Sequence, residues 1–331
     1  IIGLVKHFSD LLKNTESDNI NQAWENMYGS SVFWNREGIG IGVMGGINIA
    51  MYDLLGKKMQ VPVYKLLGGI QKEKIRIYAS NGLFDNAKQL LEDAQKAYAN
   101  GFRVYKMRVI DPNKIVSLVK SFNKKFKNRM QLIVDAVQGS AANPWATKVS
   151  INLAKKLEKE EIVFLEEPFR VENLKGYKDI KKFTTLNIAG AESVPTARAF
   201  RKYLEEDVLD ILQFDIATSG FTEGRRICDL AYIHNKPVAV HSWGSAISIM
   251  AGIHFGLTVA NVAFTEYCFM DHPINKELFE NKKINISNGY AAKPNCHGLG
   301  VKFNDMLSKK FPYKEKINTM ISTKNSDIKL K

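Results

Sequence analysis

Ionisable side chains recur near the carboxyl ends of the β-strands that the sequence predicts. Short β-branched runs alternate with segments of helical period, and six of these runs carry an acid or a histidine toward their end. These six residues are Asp135, Glu166, Glu192, Asp215, His241 and Glu266. Any one of them could simply cap a helix or be solvated in a loop. Six in corresponding positions favour a shared chemical site.

A strand with two cations precedes these runs. The stretch FRVYKMRV, residues 102–109, reads as a β-strand with Lys106 and Arg108 at alternate positions. Alternate residues point to one face, and a buried face takes two like charges only with negative partners. Carboxylates that lie close together raise one another's pKa, so three of them call for a cation. Oxygen ligands without Cys or His favour Mg²⁺ over zinc.

The order of predicted elements favours a parallel β/α barrel. Eight strand-like runs are spaced at roughly 25–30 residues with helical segments between them. The runs cover residues 75–80, 103–109, 131–137, 162–168, 186–192, 211–216, 237–242 and 262–268. In such a barrel the carboxyl ends of the strands ring a single mouth, where the ionisable residues would converge. A doubly wound open sheet is the alternative.

The two ends of the chain are expected to form a second unit. Residues 1–72 read as helices with loops, 73–270 as the barrel, and 271–331 as a segment that returns to the N-terminal part. The chain opens on Ile1 without an initiator Met, so we expect an N-terminal piece, including strands of a capping domain, to be absent from this sequence.

Two stretches suggest functions that their context disfavours. GIGIGVMGG contains a GxGxxG match at Gly40, Gly42 and Gly45, but a dinucleotide loop needs a preceding strand and a following acid. We predict a flexible loop before a helix. Residues 237–265 contain no Asp, Glu, Lys or Arg, as a membrane span would. Their change from strand-like to helix-like pattern predicts a buried strand–helix–strand passage instead.

Composition indicates a globular protein with a basic surface. The 331 residues carry a formal net charge of +13, but the basic residues are spread along the chain and no nucleic-acid motif is visible. We expect a solvated surface that steers a small anionic substrate and no role with nucleic acid or membrane. The three cysteines form no CxxC pair, which disfavours a disulfide framework or zinc site and favours the cytoplasm.

The ordered set of motifs resembles the mandelate racemase subgroup of the enolase superfamily. The motifs are Lys106-Met107-Arg108, Asp135, Leu165-Glu166-Glu167-Pro168, Ala191-Glu192-Ser193, Gln213-Phe214-Asp215 and His241-Ser242-Trp243-Gly244. The similarity extends over nearly the whole chain. It implies a modified (β/α)₇β barrel of the TIM type with an α+β capping domain built from both chain ends, and a homo-oligomer.

The resemblance also implies a role for each site residue. Asp135, Glu166 and Glu192 are the expected ligands of Mg²⁺, and His241 with Asp215 the expected general base. Lys106 and Arg108 match the KxK motif on the opposite face of the substrate, and Glu266 matches a carboxyl group placed to hydrogen-bond the enolate oxygen. No further cofactor is expected.

Charge and proton chemistry narrow the reaction. A proton next to a carboxylate is very weakly acidic, so its removal requires cations that hold the enediolate. If Glu266 is protonated, three ligand carboxylates, Mg²⁺ and two strand cations leave one positive charge, which a carboxylate substrate neutralises. Arg108 departs from the second Lys of the motif, and a guanidinium is a poor base. Val137 with Gln138 and Phe214 also depart from frequent family residues.

A single competent base favours dehydration of a sugar acid to a 2-keto-3-deoxy acid. His241 would abstract the proton, and His241 or Glu266 would protonate the departing hydroxyl. A racemase or epimerase with Lys106 as second base is the alternative, and a catalytically silent binding barrel is a remote one. The substrate itself is not predictable, since it depends on capping loops and on mouth residues such as Trp34, Ser80, Asn81 and Trp243.

Overall fold

Eight parallel strands close into a barrel in a computed structural model that describes residues 1–280 and 284–313. Each strand pairs with the next along the chain, and the last pairs with the first. The strands are β1 Lys74–Leu83, β2 Val104–Arg108, β3 Gln131–Asp135, β4 Leu165–Glu166, β5 Ile188–Gly190, β6 Ile211–Leu212, β7 Val238–Val240 and β8 Val262–Cys268. The predicted barrel is therefore confirmed and the open sheet is excluded.

Helices connect the strands and extend beyond them at both ends. Those before the barrel are α1 Ile2–Leu12, α2 Ile20–Ser31, α3 Ile39–Lys58 and α4 Val63–Leu66. Those within it are α5 Ala87–Ala99, α6 Pro112–Phe126, α7 Thr147–Leu157, α8 Leu174–Lys181, α9 Ala197–Glu205, α10 Ile216–Ile233 and α11 Ala246–Thr258. After it come α12 Pro273–Leu278, the strands β9 Ile286–Ser287 and β10 Tyr290–Ala292, and α13 Asp305–Lys310.

The barrel helices bury one face each against the strands. In α6 the residues Ile115, Leu118, Val119, Phe122 and Phe126 are buried, a spacing of three and four that places them on one side of a helix. Asp111 caps this helix by accepting the N–H of Asn113, and Pro112 occupies its first turn. The same periodicity allowed the helical segments to be recognised from the sequence.

The glycine-rich stretch is helical, so the prediction of a flexible loop there is wrong. Gly40, Gly42 and Gly45 lie inside α3, and at Gly45 this helix approaches α10 so closely that a Cβ atom would stand 2.2 Å from the carbonyl oxygen of Thr218. Among the described helices, α3 alone is long and apolar enough to cross a membrane. Its burial of Ile41, Met44 and other residues against the neighbouring helices explains that composition.

The segment after the barrel contacts the N-terminal helices. The N–H of Leu299 donates to Asp53 in α3, and Val63 donates its N–H to the carbonyl of Gly298. The β9–β10 hairpin extends the start of β1 in antiparallel pairing. Residues 281–283 and 314–331 of the predicted last segment lie outside the described residues.

Buried His254 in α11 joins three parts of the fold. Its Nδ1 accepts the N–H of Tyr64 at 3.2 Å, and its Nε2 lies 3.3 Å from the carbonyl of Leu299. It belongs to the uncharged stretch 237–265, which forms β7, α11 and most of β8. The prediction of a buried strand–helix–strand passage is thereby confirmed.

Candidate active site

The inward-facing side chains of the barrel form two layers of opposite polarity. The lower layer is apolar and consists of Tyr78, Val104, Ile133, Phe164, Ala189, Ile211, Ala239 and Phe264. Alternate strand residues face the same side, so the residues two positions further on form the next layer toward the carboxyl ends. These are Ser80, Lys106, Asp135, Glu166, Ala191, Gln213, His241 and Glu266. The change from apolar to ionisable residues marks the floor of the barrel mouth.

Lys106 is buried because carboxylates surround it. Its side chain is 2% exposed, and Nζ lies 2.8 Å from Oε1 of Glu166, 2.8 Å from Oε1 of Glu266 and 3.7 Å from Oδ2 of Asp135. Burial by itself lowers the pKa of Lys106, but the charges of Glu166 and Glu266 outweigh it and raise this pKa well above its ordinary value. The ammonium group is thus charged and held in place.

Three carboxylates stand at the ends of consecutive strands. Asp135 and Glu166 are register partners on β3 and β4, and Glu192 follows the end of β5. Burial raises the pKa of Glu166 to about 8; Lys106 opposes this shift, and the charges of Asp135 and Glu192 add to it. Burial also raises the pKa of Asp135, although Lys106 and the N–H of Val137, 2.7 Å from Oδ1, act against it.

These three side chains fit a hard divalent cation by their chemistry. All are oxygen donors, and Oε2 of Glu166 is buried without a hydrogen-bond partner among the described residues. A cation at this place would favour the ionised form of Glu166. Across residues 1–280 and 284–313 no three His, Cys, Asp or Glu side chains are already arranged as ligands of one ion. The ammonium of Lys106 contacts two of the three carboxylates instead.

His241 and Asp215 form a pair at the mouth. Nδ1 of His241 lies 2.7 Å from Oδ2 of Asp215, while Nε2 lies 3.3 Å from Glu192 and 3.4 Å from Glu266. Burial lowers the pKa of His241, but the charges of Glu192 and Glu266 and the hydrogen bond to Asp215 raise it well above its ordinary value. In the neutral form of the ring, with Nδ1–H donated to Asp215, Nε2 is the atom that can accept a proton.

Glu266 is ionised, so the assumption that it is protonated is wrong. Its Oε1 pairs with Lys106 at 2.8 Å, and its Oε2 accepts the N–H of Ser242 at 3.2 Å. Burial raises the pKa of Glu266, but the charges of Lys106 and His241 outweigh that effect and the pKa falls to about 2. The sequence alone does not place Lys106 against Glu266, so the ionised state could not be predicted from it.

Arg108 stands further out than Lys106 and is held by other groups. Its Nε donates to the carbonyl of Asn81 at 2.7 Å, and the guanidinium lies 4.6 Å from the ring centre of Trp243. Arg108 thus borders the mouth together with two of the suggested substrate-facing residues, Asn81 and Trp243. Trp34 packs instead against Phe8 in the N-terminal helices.

The departures from the family pattern are accommodated locally. Gln138 binds the backbone of its own loop, since Nε2 donates to Ala136 and Oε1 accepts the N–H of Trp145, both at 2.8 Å. Phe214 is fully buried and meets Phe255 edge-on. Gln138 therefore holds its own loop by hydrogen bonds, and Phe214 packs in the core next to the site.

Two buried polar residues beside the site stand in the sequence motifs but were given no role there. Glu167 is 4% exposed, has a φ of +41°, and leaves Oε1 without a hydrogen-bond partner among the described residues. Gln213 is fully buried, and both its amide atoms lack such a partner. Strand alternation points Glu167 away from the layer of Glu166, so the pattern gave no reason to include it. The inward register of β6 could have identified Gln213.

Comparison with known proteins agrees with the architecture. Residues 89–307 match the family described as Enolase C-terminal domain-like, and residues 2–68 match the Mandelate racemase / muconate lactonizing enzyme, N-terminal domain. The D-galactonate dehydratase of Ralstonia pickettii is 30% identical over 92% of this chain and 82% of its own. The arabinonate dehydratase of Saccharolobus solfataricus is 26% identical over 95% of this chain and 83% of its own.

A solved structure shows the same similarity in three dimensions. The 3,6-anhydro-D-galactonate cycloisomerase from Zobellia galactanivorans superposes with a TM-score of 0.85 at 29% identity, covering 93% of this chain and 86% of that one. Enzymes of this superfamily bind Mg²⁺. From both domain matches and the barrel with its ring of carboxylates, the chain belongs to the mandelate racemase/muconate lactonizing enzyme group of the enolase superfamily.

Proposed function

We propose that this protein is a Mg²⁺-dependent dehydratase that converts a sugar acid to a 2-keto-3-deoxy acid. The observation that carries the proposal is the pair formed by His241 and Asp215, in which Nε2 of His241 faces carboxylates that also hold Lys106. A base at this position would lie beside groups that could bind an acidic substrate. The dehydratases among the relatives act on arabinonate and galactonate by name, which supports the same substrate class here.

Asp135, Glu166 and Glu192 would hold the metal ion. When bound, Mg²⁺ supplies positive charge to the carboxylate end of the substrate and so stabilises the enediolate. The positions of the three residues on consecutive strands and the unpaired Oε2 of Glu166 support this assignment. Lys106, which pairs with Asp135 and Glu166 in the structure, would then be released in part to contact the substrate carboxylate.

His241 would take the proton next to the substrate carboxylate on Nε2. Asp215 holds the ring in the tautomer that leaves Nε2 free and stabilises the imidazolium that forms, as the buried acid does in other acid–His pairs. The proton on His241 would then pass to the hydroxyl that leaves from the neighbouring carbon. Since Glu266 is ionised, His241 is the better proton donor for this step.

The charges of the site favour proton transfer to His241. Four carboxylates are balanced by the two strand cations and a divalent ion. A substrate with one carboxylate then adds one negative charge, and proton transfer within the site leaves this total unchanged, because the imidazolium that forms is matched by the second negative charge of the enediolate. Ionised Glu266 adds one negative charge to the charge balance expected from the sequence. This charge lies next to His241 and makes it a stronger base once substrate is bound.

A racemase or epimerase is the second candidate. It needs a base on the opposite face, where Lys106 stands. The two carboxylates 2.8 Å from its ammonium keep Lys106 charged, so it serves better as a binding group than as a base. Arg108 offers no alternative base.

The test is a screen of sugar acids for keto-acid formation with Mg²⁺ in D₂O. Dehydration predicts a keto acid and no inversion in the recovered substrate. Deuterium in recovered substrate of inverted configuration, without keto acid, would establish the epimerase instead. The variant His241→Asn is the control, because it retains a group that can bind Asp215 but removes the base.

A further inference from the structure

Asn48 in α3 reaches across to α10 at the point where that helix is interrupted. Gly220 has a φ of +62°, and the helix resumes after it. Oδ1 of Asn48 accepts the N–H of Phe221 at 2.9 Å and of Thr222 at 3.2 Å, while its Nδ2 donates to Oγ1 of Thr222 at 2.9 Å. Asn48 is 1% exposed. It therefore caps the second part of α10 from another helix, which satisfies N–H groups that the interruption leaves free.

The first part of α10 is the turn that orients Asp215. The Oδ1 atom of Asp215 accepts the N–H of Thr218 at 2.8 Å and so caps this turn, while Oδ2 binds Nδ1 of His241 at 2.7 Å. One carboxylate thus serves both the helix and the histidine. Any movement of the turn would rotate the carboxylate that holds His241.

The backbone of α3 lies directly against this turn. A Cβ atom on Gly45 would stand 2.2 Å from the carbonyl oxygen of Thr218, and one on Gly42 would meet the Thr218 side chain at 3.5 Å. The glycine at position 45 thus lets the two helices approach closely enough for Asn48 to bind α10. Close packing of α3 against α10 thus explains the glycine at position 45 of the GxGxxG match.

We infer that Asn48 is a positioning residue for the pair of His241 and Asp215. It fixes the interruption of α10 from the side of the N-terminal helices, and Gly45 keeps α3 against the turn that Asp215 caps. The consequence for catalysis rests on the proposed function, whereas the consequence for the geometry of the pair does not.

The geometric test is the NMR signal of the Nδ1–H proton of His241 in substrate-free protein, identified by its loss in His241→Asn. Asn48→Ala leaves two buried N–H groups without their acceptor, so we expect this signal to shift or broaden. Asn48→Asp keeps the acceptor next to the helix N-terminus, where a negative charge is favourable, and should restore it. Asn35→Ala is the matched control, since Asn35 is equally buried but binds Ser31 and Met44 within the N-terminal helices.

A second pair of variants keeps the test independent of Asn48. Gly45→Ala forces α3 away from the carbonyl of Thr218 and should perturb the same signal, whereas Gly46→Ala, with nothing within 4 Å of its Cβ, should not.

In the enzyme assay Asn48→Ala should lower kcat roughly 10-fold or more with little change in KM. Asn35→Ala should lower Tm by a similar amount and leave kcat unchanged.

The positioning role of Asn48 and the proposed dehydratase function can be refuted separately. If folded Asn48→Ala gives the wild-type His241 signal, the positioning role is overturned. If the signal moves in Asn48→Ala and Gly45→Ala but no sugar acid is converted by wild-type enzyme, the positioning role stands and the proposed function fails.

Discussion

Asp215→Asn tests the histidine pair with the smallest change in shape. An Asn at this position can still accept the N–H of Thr218 through Oδ1, which is 2.8 Å away in the structure. Its NH₂ group would then face Nδ1 of His241, 2.7 Å from the present Oδ2, and can only donate. The imidazole must therefore accept at Nδ1 and carry its proton on Nε2, where it can no longer take a proton from the substrate.

We expect kcat to fall by about 10³- to 10⁴-fold, as when the tautomer of a catalytic histidine is reversed in an acid–His pair. This loss corresponds to about 4–5 kcal/mol of transition-state stabilisation at 1.36 kcal/mol per factor of ten. KM should change little, because Asp215 does not contact the substrate in the proposed arrangement. The measurement is the rate of keto-acid formation at saturating sugar acid and Mg²⁺.

Asp111→Asn is the matched control for this experiment. Asp111 also caps a helix, accepting the N–H of Asn113 at 3.0 Å, but it lies at the start of α6 and touches no histidine. We expect its kcat to stay within about twofold of wild type. An Asp215→Asn enzyme with a kcat within tenfold of wild type would refute the reasoning about the tautomer.

Three further predictions concern the metal, the substrate carboxylate and the buried histidine. Glu166→Gln should weaken Mg²⁺ binding by at least about 100-fold, as measured by calorimetry. The control variant Glu161→Gln, at an exposed position, should bind Mg²⁺ like wild type. Equal Mg²⁺ affinities of Glu166→Gln and wild type would show that Glu166 is not a ligand. Arg108→Lys keeps the positive charge but loses the stacking on Trp243 at 4.6 Å, which is worth about 0.5–2 kcal/mol. KM should therefore rise several-fold while kcat stays nearly constant. An unchanged KM would contradict a role of Arg108 in binding the substrate. Burial lowers the pKa of His254 to about 4, whereas a value of about 6.5 is expected in the unfolded chain. The contribution of this shift to the free energy of unfolding is therefore complete above about pH 6.5. It is lost as the pH falls toward about 4, by about 1.4 kcal/mol per pH unit. Urea unfolding between pH 7 and 4.5 should therefore show a shallower pH dependence for His254→Asn than for wild type, and equal slopes would argue against this origin.

The barrel and most of its site residues could be predicted because they obey local rules. The positions of Lys106 and Asp135 follow from strand alternation, and the convergence of strand ends follows from the fold. In the structure both residues lie in one buried group with Glu166 and Glu266.

What could not be predicted depends on contacts between distant parts of the chain. The glycines of α3 were taken for a flexible loop before a helix, and only the approach to Thr218 explains Gly45. The ionised state of Glu266 depends on Lys106 from the other end of the barrel sequence. Glu167 stands in one of the motifs but received no role, and its φ of +41° is not that of a regular strand residue.

The central claim is that His241 removes the proton next to the substrate carboxylate with Mg²⁺ bound at the three acids. The most direct test uses the converted sugar acid with deuterium at C2 and measures release of the label to water. We predict release in step with keto-acid formation, dependence on Mg²⁺, and loss in His241→Asn. Release at the wild-type rate by His241→Asn, or undiminished release after removal of divalent ions, would contradict the account.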